Sequence, residues 1–228
     1  MILQSIITTT LALTIATSAL GQKKSVKYNL YSLSKNNKLQ VFNRTLKLIT
    51  DKEREGIRFS ESEGDGVAWL TGINFTNGII ELDIKGKDVL QQSFVGIAFH
   101  GKDNKTLDAV YFRPFNFQSS DSVRSIHAVQ YVSHPNFTWN KLREEQNGKY
   151  EKAVSPAPYP NDWFHAKIVV NYPHVSVYMN NSTAPCLVVD KLNSRRSGKI
   201  GLWVGNNSAG DFANLNITNK QLMLHDDK

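Results

Sequence analysis

Apolar residues along this chain recur at every second position in short runs, the period of a strand with one buried face, and almost nowhere at the 3.6-residue spacing of an amphipathic helix. Ile79 to Lys85 alternates in this way. In the stretch Ser197 to Ile217, the apolar run Leu202-Trp203-Val204 flanked by glycines predicts a short buried strand, and Phe212 to Ile217 an edge strand after it. The same pattern predicts further strands near 46–49, 56–59, 67–70, 94–99, 109–112, 125–132, 164–171, 175–179 and 186–190. Asn171-Tyr172-Pro173-His174 separates two apolar runs and predicts a hairpin, because proline fixes φ and ends the pairing. Thr76-Asn77-Gly78 predicts a second tight turn. About a dozen strands, with no helix longer than about three turns, define an all-β fold: an antiparallel β-sandwich of the jelly-roll kind.

The segment 133–162 interrupts this rhythm with a charged run, Lys141-Leu142-Arg143-Glu144-Glu145, and a proline-rich exit. A connection of that length inside a sandwich serves either as a lid or binding loop or as the cover of a sheet edge.

The first 21 residues hold an apolar centre and end in Ala19-Leu20-Gly21, small residues where a signal peptidase reads, so residues 1–21 are expected to be a signal peptide. Residues 22–37 then read as a polar connector, 38–218 as one sandwich domain and 219–228 as a polar tail. With no second hydrophobic segment, a secreted or periplasmic monomer without a stable membrane span is expected.

The chain has 228 residues, 40% of them hydrophobic, which suffices for one substantial core. A lone cysteine, Cys186, excludes an internal disulfide, and its apolar neighbours make it a small buried hydrophobe rather than a nucleophile. The net charge of +7 favours an anionic partner by long-range attraction and also serves solubility. Because the basic residues are scattered rather than clustered, nucleic acid is not expected as a partner.

The order of FTNGIIELDIKG, FVGIAFHG, LDAVYFRPFNF, SIHAVQYVSHP, DWFHAKIVVNYPHVSVYMN and KIGLWVGNNSAGDFANLNI resembles the concanavalin A-like lectin/glucanase superfamily. Within it, the chain is similar to the branch of bacterial secreted proteins called 3-keto-disaccharide hydrolase-like or laminin-G-like. The resemblance implies two stacked sheets with a sugar groove on the concave one, in proteins that include lectins, hydrolases, lyases and plain adhesion modules.

Strand alternation then selects the groove residues. His100, Tyr111, Arg113, His127 and Tyr131 form the candidate carbohydrate site, with Trp139 and Arg143 reaching over from the long segment. Arg113, Tyr111 and His127 are the best catalytic candidates, since an elimination needs a cation and proton-moving groups. The strand Leu107 to Phe115 lacks the carboxylate pair of a glycoside hydrolase, and Glu81 and Asp83 read as solvent-facing charges. No histidine pair has metal-ligand spacing, and no cofactor is expected beyond a loop calcium that Asp103, Asn104 and Asp108 could hold. The expected ligand is an oligo- or polysaccharide, anionic by the charge argument. The expected function is carbohydrate binding with or without processing, the alternatives being a glycan-cleaving enzyme (a lyase on acidic sugars or a keto-glycoside hydrolase) and a non-catalytic adhesion module.

Overall fold

A computed structural model describes residues 24–51 and 54–220, so the expected leader and the last eight residues lie outside the described part. In chain order its elements are β1 (Lys24–Tyr28), α1 (Leu30–Lys35), β2 (Leu39–Phe42), β3 (Leu46–Asp51), β4 (Arg54–Phe59), β5 (Gly66–Phe75), β6 (Asn77–Lys85), β7 (Val95–Gly101), β8 (Asp108–Phe112), α2 (Ser122–Ser125), β9 (Val129–Ser133), α3 (Trp139–Glu145), β10 (Glu151–Lys152), β11 (Trp163–Asn171), β12 (His174–Met179), β13 (Leu187–Asp190), β14 (Gly198–Val204) and β15 (Gly210–Lys220). The first sheet runs β13-β12-β11-β6-β15-β4-β3, with β1 also on β15, and the second runs β10-β9-β8-β7-β14-β5-β2. All neighbours within both sheets are antiparallel.

The core is the layer between the sheets. From the first sheet, Ile80, Leu82 and Ile84 of β6, Phe164, Ala166 and Ile168 of β11 and Phe212 of β15 point inward. From the second come Val95, Ile97 and Phe99 of β7, Val110 and Phe112 of β8 and Leu202 of β14. The rings of Phe112 and Phe164 meet across the layer at 5.1 Å between centroids. Each such valine, leucine, isoleucine or phenylalanine contributes about 1.5–3 kcal/mol by leaving water. With no disulfide to help, that layer carries the fold. Cys186 sits beside it, its thiol pushed up to about 11 by burial, which suits a packing role.

The two sheets differ on their outer faces, and the difference locates the site. Burial alternates along β11, as in a sheet with one wet face. In β7, β8 and β9 every residue is buried, so a third layer of loops covers the outer face of the second sheet.

Several sequence expectations need correction. Residues 22–37 are not a connector, since β1 and α1 fall there and β1 pairs with β15. β1, β2 and β10 are too short or too polar for alternation to reveal. β15 is no edge strand: it runs between β6 and the pair β4 and β1, and it continues to Lys220. The predicted strand 125–132 begins only at Val129, because Asp121 caps a helical turn, α2, in front of it. Asp83 is not solvent-facing but buried, held by Arg54 at 3.0 Å, His165 at 2.9 Å and Asn214 at 2.8 Å. Trp163, the first residue of β11, is half-buried, with its ring nitrogen donating to Asp51 at 2.8 Å. The tight turn expected at Thr76-Asn77-Gly78 is the crossing between sheets: Thr76 alone joins β5 of the second sheet to β6 of the first, which already begins at Asn77. Only glycine fits at 78, where a Cβ would stand 1.9 Å from the Thr218 carbonyl oxygen.

Candidate functional site

A polar network opens where the loop cover parts, over the β8–β9–β10 end of the second sheet. Tyr111 and Gln130 are opposite partners on β8 and β9, and Glu151 of β10 continues the same row. Arg113 follows β8, His127 precedes β9, and α3 brings Arg143 and Trp139. Within the long segment 133–162, β10 pairs along the edge strand β9, and α3 places Trp139 and Arg143 beside the cleft.

Arg113 organises the floor. Its Nη1 donates to the His127 carbonyl at 2.9 Å, and its Nη2 to the Tyr111 hydroxyl at 2.7 Å and to Gln130 Oε1. The Tyr111 hydroxyl in turn donates to Gln130 Oε1 at 2.7 Å. The guanidinium also stands over the Tyr111 ring, 4.9 Å from its centroid. At 4% exposure Arg113 is a brace that fixes this end of the sheet, and its donors face the protein rather than a ligand.

Glu151 is the junction of the charges. Its carboxylate accepts from Arg143 Nε at 3.0 Å and Nη2 at 2.8 Å, stands 3.5 Å from Arg113 Nη1, and lies 2.8 Å from His127 Nδ1. Burial by itself would raise the Glu151 carboxyl. The Arg143 hydrogen bonds, with Arg113 and His127, outweigh it and hold the group below its usual value. His127 is lowered, first by burial and then by the neighbouring arginines, against the opposing pull of Glu151. The 2.8 Å approach of Glu151 to Nδ1 is a close charge contact without hydrogen-bond alignment, and Nε2 is the ring nitrogen left to act as a base. No described residue hydrogen-bonds Nε2, and His127 lines the cleft. The Tyr111 hydroxyl is pushed up to about 12, mainly by burial, so it stays protonated.

The cleft encloses about 480 Å³, within the roughly 300–1,000 Å³ range of small-ligand sites. Leu90, Phe94, Phe115 and Trp139 form its apolar walls; Asn116, Arg124, His127 and Arg143 line its polar side, with the braced Arg113 at the floor. Trp139 is 50% exposed, with the Arg143 guanidinium 5.3 Å from its ring centroid.

Of the seven residues expected from sequence, Arg113, His127, Trp139 and Arg143 line this cleft and Tyr111 lies beneath it. His100 and Tyr131 do not belong. A β-bulge sets Phe99 and His100 of β7 opposite the single Ile200 of β14, and His100 takes φ 49°, which turns its ring into the interior beside Phe99 and Phe75. Tyr131 faces inward because it shares a face with Val129 and not with Gln130. Both join a buried cluster around Asp108, which accepts from the Tyr131 hydroxyl at 2.9 Å and pairs with Lys191 at 2.9 Å and Arg195 at 3.2 Å. His100 donates from Nε2 to the Thr76 carbonyl and accepts at Nδ1 from Lys191, and burial lowers it to about 4.

The three oxygen donors considered for calcium do not converge. Asp103 accepts from the backbone of Lys105 and Thr106, Asn104 from the Trp69 indole, and Asp108 is enclosed by cations.

Sequence reasoning missed Glu151, Gln130, Asn116 and Arg124. A two-residue strand leaves no periodic trace of Glu151. The signal for Gln130 was present, as it faces the same side as Tyr111 once the strand start is set at Val129.

The paired antiparallel sheets give the protein the fold of the concanavalin A-like and galectin-like β-sandwiches. More narrowly, residues 29–218 match the model of the 3-keto-alpha-glucoside-1,2-lyase-like domain, and the chain belongs to that family. Three solved structures share the fold. A Bacillus subtilis protein of unknown function with a galectin-like fold superposes with TM-score 0.59 at 13% identity, over 87% of this chain and 97% of its own. The carbohydrate-binding module CBM66 of Bacillus subtilis gives 0.50 at 16%, over 77% and 95%. A glycosidic hydrolase gives 0.55 at 10%, over 90% and 100%. No curated protein matches the sequence.

Proposed function

We propose that the cleft binds a sugar and that His127 Nε2 takes from it a proton on a carbon next to a carbonyl, which begins an elimination. One observation carries this reading: a neutral imidazole stands with Nδ1 2.8 Å from an ionised carboxylate and with its other nitrogen open to a cleft of sugar size. A ketone on the ring, as the family's description states, makes the adjacent C–H acidic. His127 accepts the proton, and the electrons of the broken C–H bond pass into an enolate. As the enolate collapses, the C–O bond to the aglycone breaks, the aglycone leaves with a proton from water, and an unsaturated ketone remains. No oxidant or reductant is consumed. Trp139 offers the aromatic face on which a sugar stacks, and Asn116 offers a hydrogen-bonding edge. Export of the protein by its first 21 residues is part of the same reading.

Incubation with a 3-keto-α-glucoside bearing a nitrophenyl leaving group tests the proposal. Nitrophenol release together with an unsaturated keto-sugar is expected, and both fall roughly 10²–10⁴-fold in His127→Asn. A reducing sugar formed with no unsaturated product would replace elimination with hydrolysis. A binding-only reading is favoured by the exposed Trp139 and by the shared fold of the Bacillus subtilis carbohydrate-binding module. In that case sugar binding persists with no product at all.

A further inference from the structure

The cleft holds more positive charge than the protein itself neutralises. Arg113, Arg124 and Arg143 all line it, and Arg113 and Arg143 share the single carboxylate of Glu151. Arg124 has no carboxylate within ion-pairing distance among the described residues. Neutral acceptors hold it instead: Asn116 Oδ1 at 3.3 Å from Nε and the Phe115 carbonyl at 2.9 Å from Nη2. The nearby Asp121 is exposed and occupied in capping α2 through the amides of Val123 and Arg124. His127 adds no negative charge. Arg143 directs Nε and Nη2 to Glu151 and stays 34% exposed, so Nη1 is left for a ligand.

Arg124 and Arg143 are therefore both fixed in direction by acceptors within the protein, and each keeps an unused guanidinium edge in one cleft. A planar donor edge in a partly desolvated site is the recognition element for a carboxylate or a phosphate, and an uncompensated guanidinium there is costly until such a group arrives. The overall charge of +7 draws the same class of ligand from a distance.

We infer that the sugar taken by this cleft carries an anionic group, a carboxylate or a phosphate, seated against Arg124 and Arg143. This rests on the cleft being a sugar site. Calorimetric titration of the full chain with glucose, glucuronate and glucose 6-phosphate, at low and at high salt, tests it. One of the two anionic sugars is expected to bind roughly tenfold or more tightly than glucose at low salt. The preference shrinks with salt and in Arg124→Gln, and Arg124→Lys partly restores it. Which anion prevails separates a uronic acid from a sugar phosphate. Equal affinity for all three sugars overturns the inference and leaves the sugar site standing. Binding of none overturns both.

Discussion

Glu151 Oε2 and His127 Nδ1 stand 2.8 Å apart although β10, which carries Glu151, is only two residues long and is separated from His127 by the whole of β9 and α3. The pairing Glu151↔Gln130 fixes the carboxylate on the row that Tyr111 occupies, and the turn after α2 delivers the imidazole to it. The result is an imidazole set against a carboxylate that two arginines hold in place.

Glu151→Gln keeps the shape and removes the charge. Loss of the anion takes away the one neighbour that favours protonated His127. Turnover of a keto-glucoside is expected to fall roughly 10²–10⁴-fold. The imidazole pKa, read by NMR titration, should move lower still.

Arg113→Ala removes the brace rather than a ligand contact. It leaves Gln130, the Tyr111 hydroxyl and Glu151 without their shared donor, and a cost of about 3–5 kcal/mol is expected in urea unfolding. Arg113→Lys should recover little, because one ammonium cannot serve the same acceptors in one plane. Unfolding free energies within 1 kcal/mol of the parent, roughly the effect of an ordinary surface change, would show the network to be dispensable.

Stability should decline as pH falls from about 6.5 towards 4. His100 is lowered to about 4 and His127 and His134 are also lowered, each mainly by burial, so over this window the unfolded chain binds protons that the folded one refuses. Glu151 and Asp83, held low by their partners, extend the loss below the carboxylate range. Asp65, raised by burial, acts in the opposite sense and loses stability as pH rises. His100→Asn tolerates the positive φ and should flatten the slope of thermal midpoint against pH between 6.5 and 4.

Trp139→Ala should weaken sugar binding by roughly two- to tenfold, the scale of one aromatic stacking contact. Its half-exposed ring contributes little to the core, so the thermal midpoint is expected to move very little. Calorimetry and a melting curve on the same sample check the two halves of this expectation.

Each of the dozen strands expected from sequence has a counterpart in the structure, though Ser125 to Val132 starts late and Gly66–Phe75 runs well past Leu70. The alternation also gave the correct face for Tyr111, because β8 is regular. It failed at His100, where a bulge inserts one residue, and at Tyr131, where a helical turn delays the strand. Glu151 was invisible for a different reason: its strand exists only through pairing with β9.

Side-chain alternation is a local property, readable from neighbours two residues apart, and it determined that this chain folds as two layered sheets with an apolar middle. Strand order, the bulge in β7, the edge pairing of β10 and the overhang of α3 are set by contacts between residues far apart in the chain. Those contacts gathered Arg113, His127, Arg143 and Glu151 at one cleft and sent His100 and Tyr131 to Asp108. A period of two says which face a residue takes but not which strand lies beside it, so only the tertiary structure could decide the site.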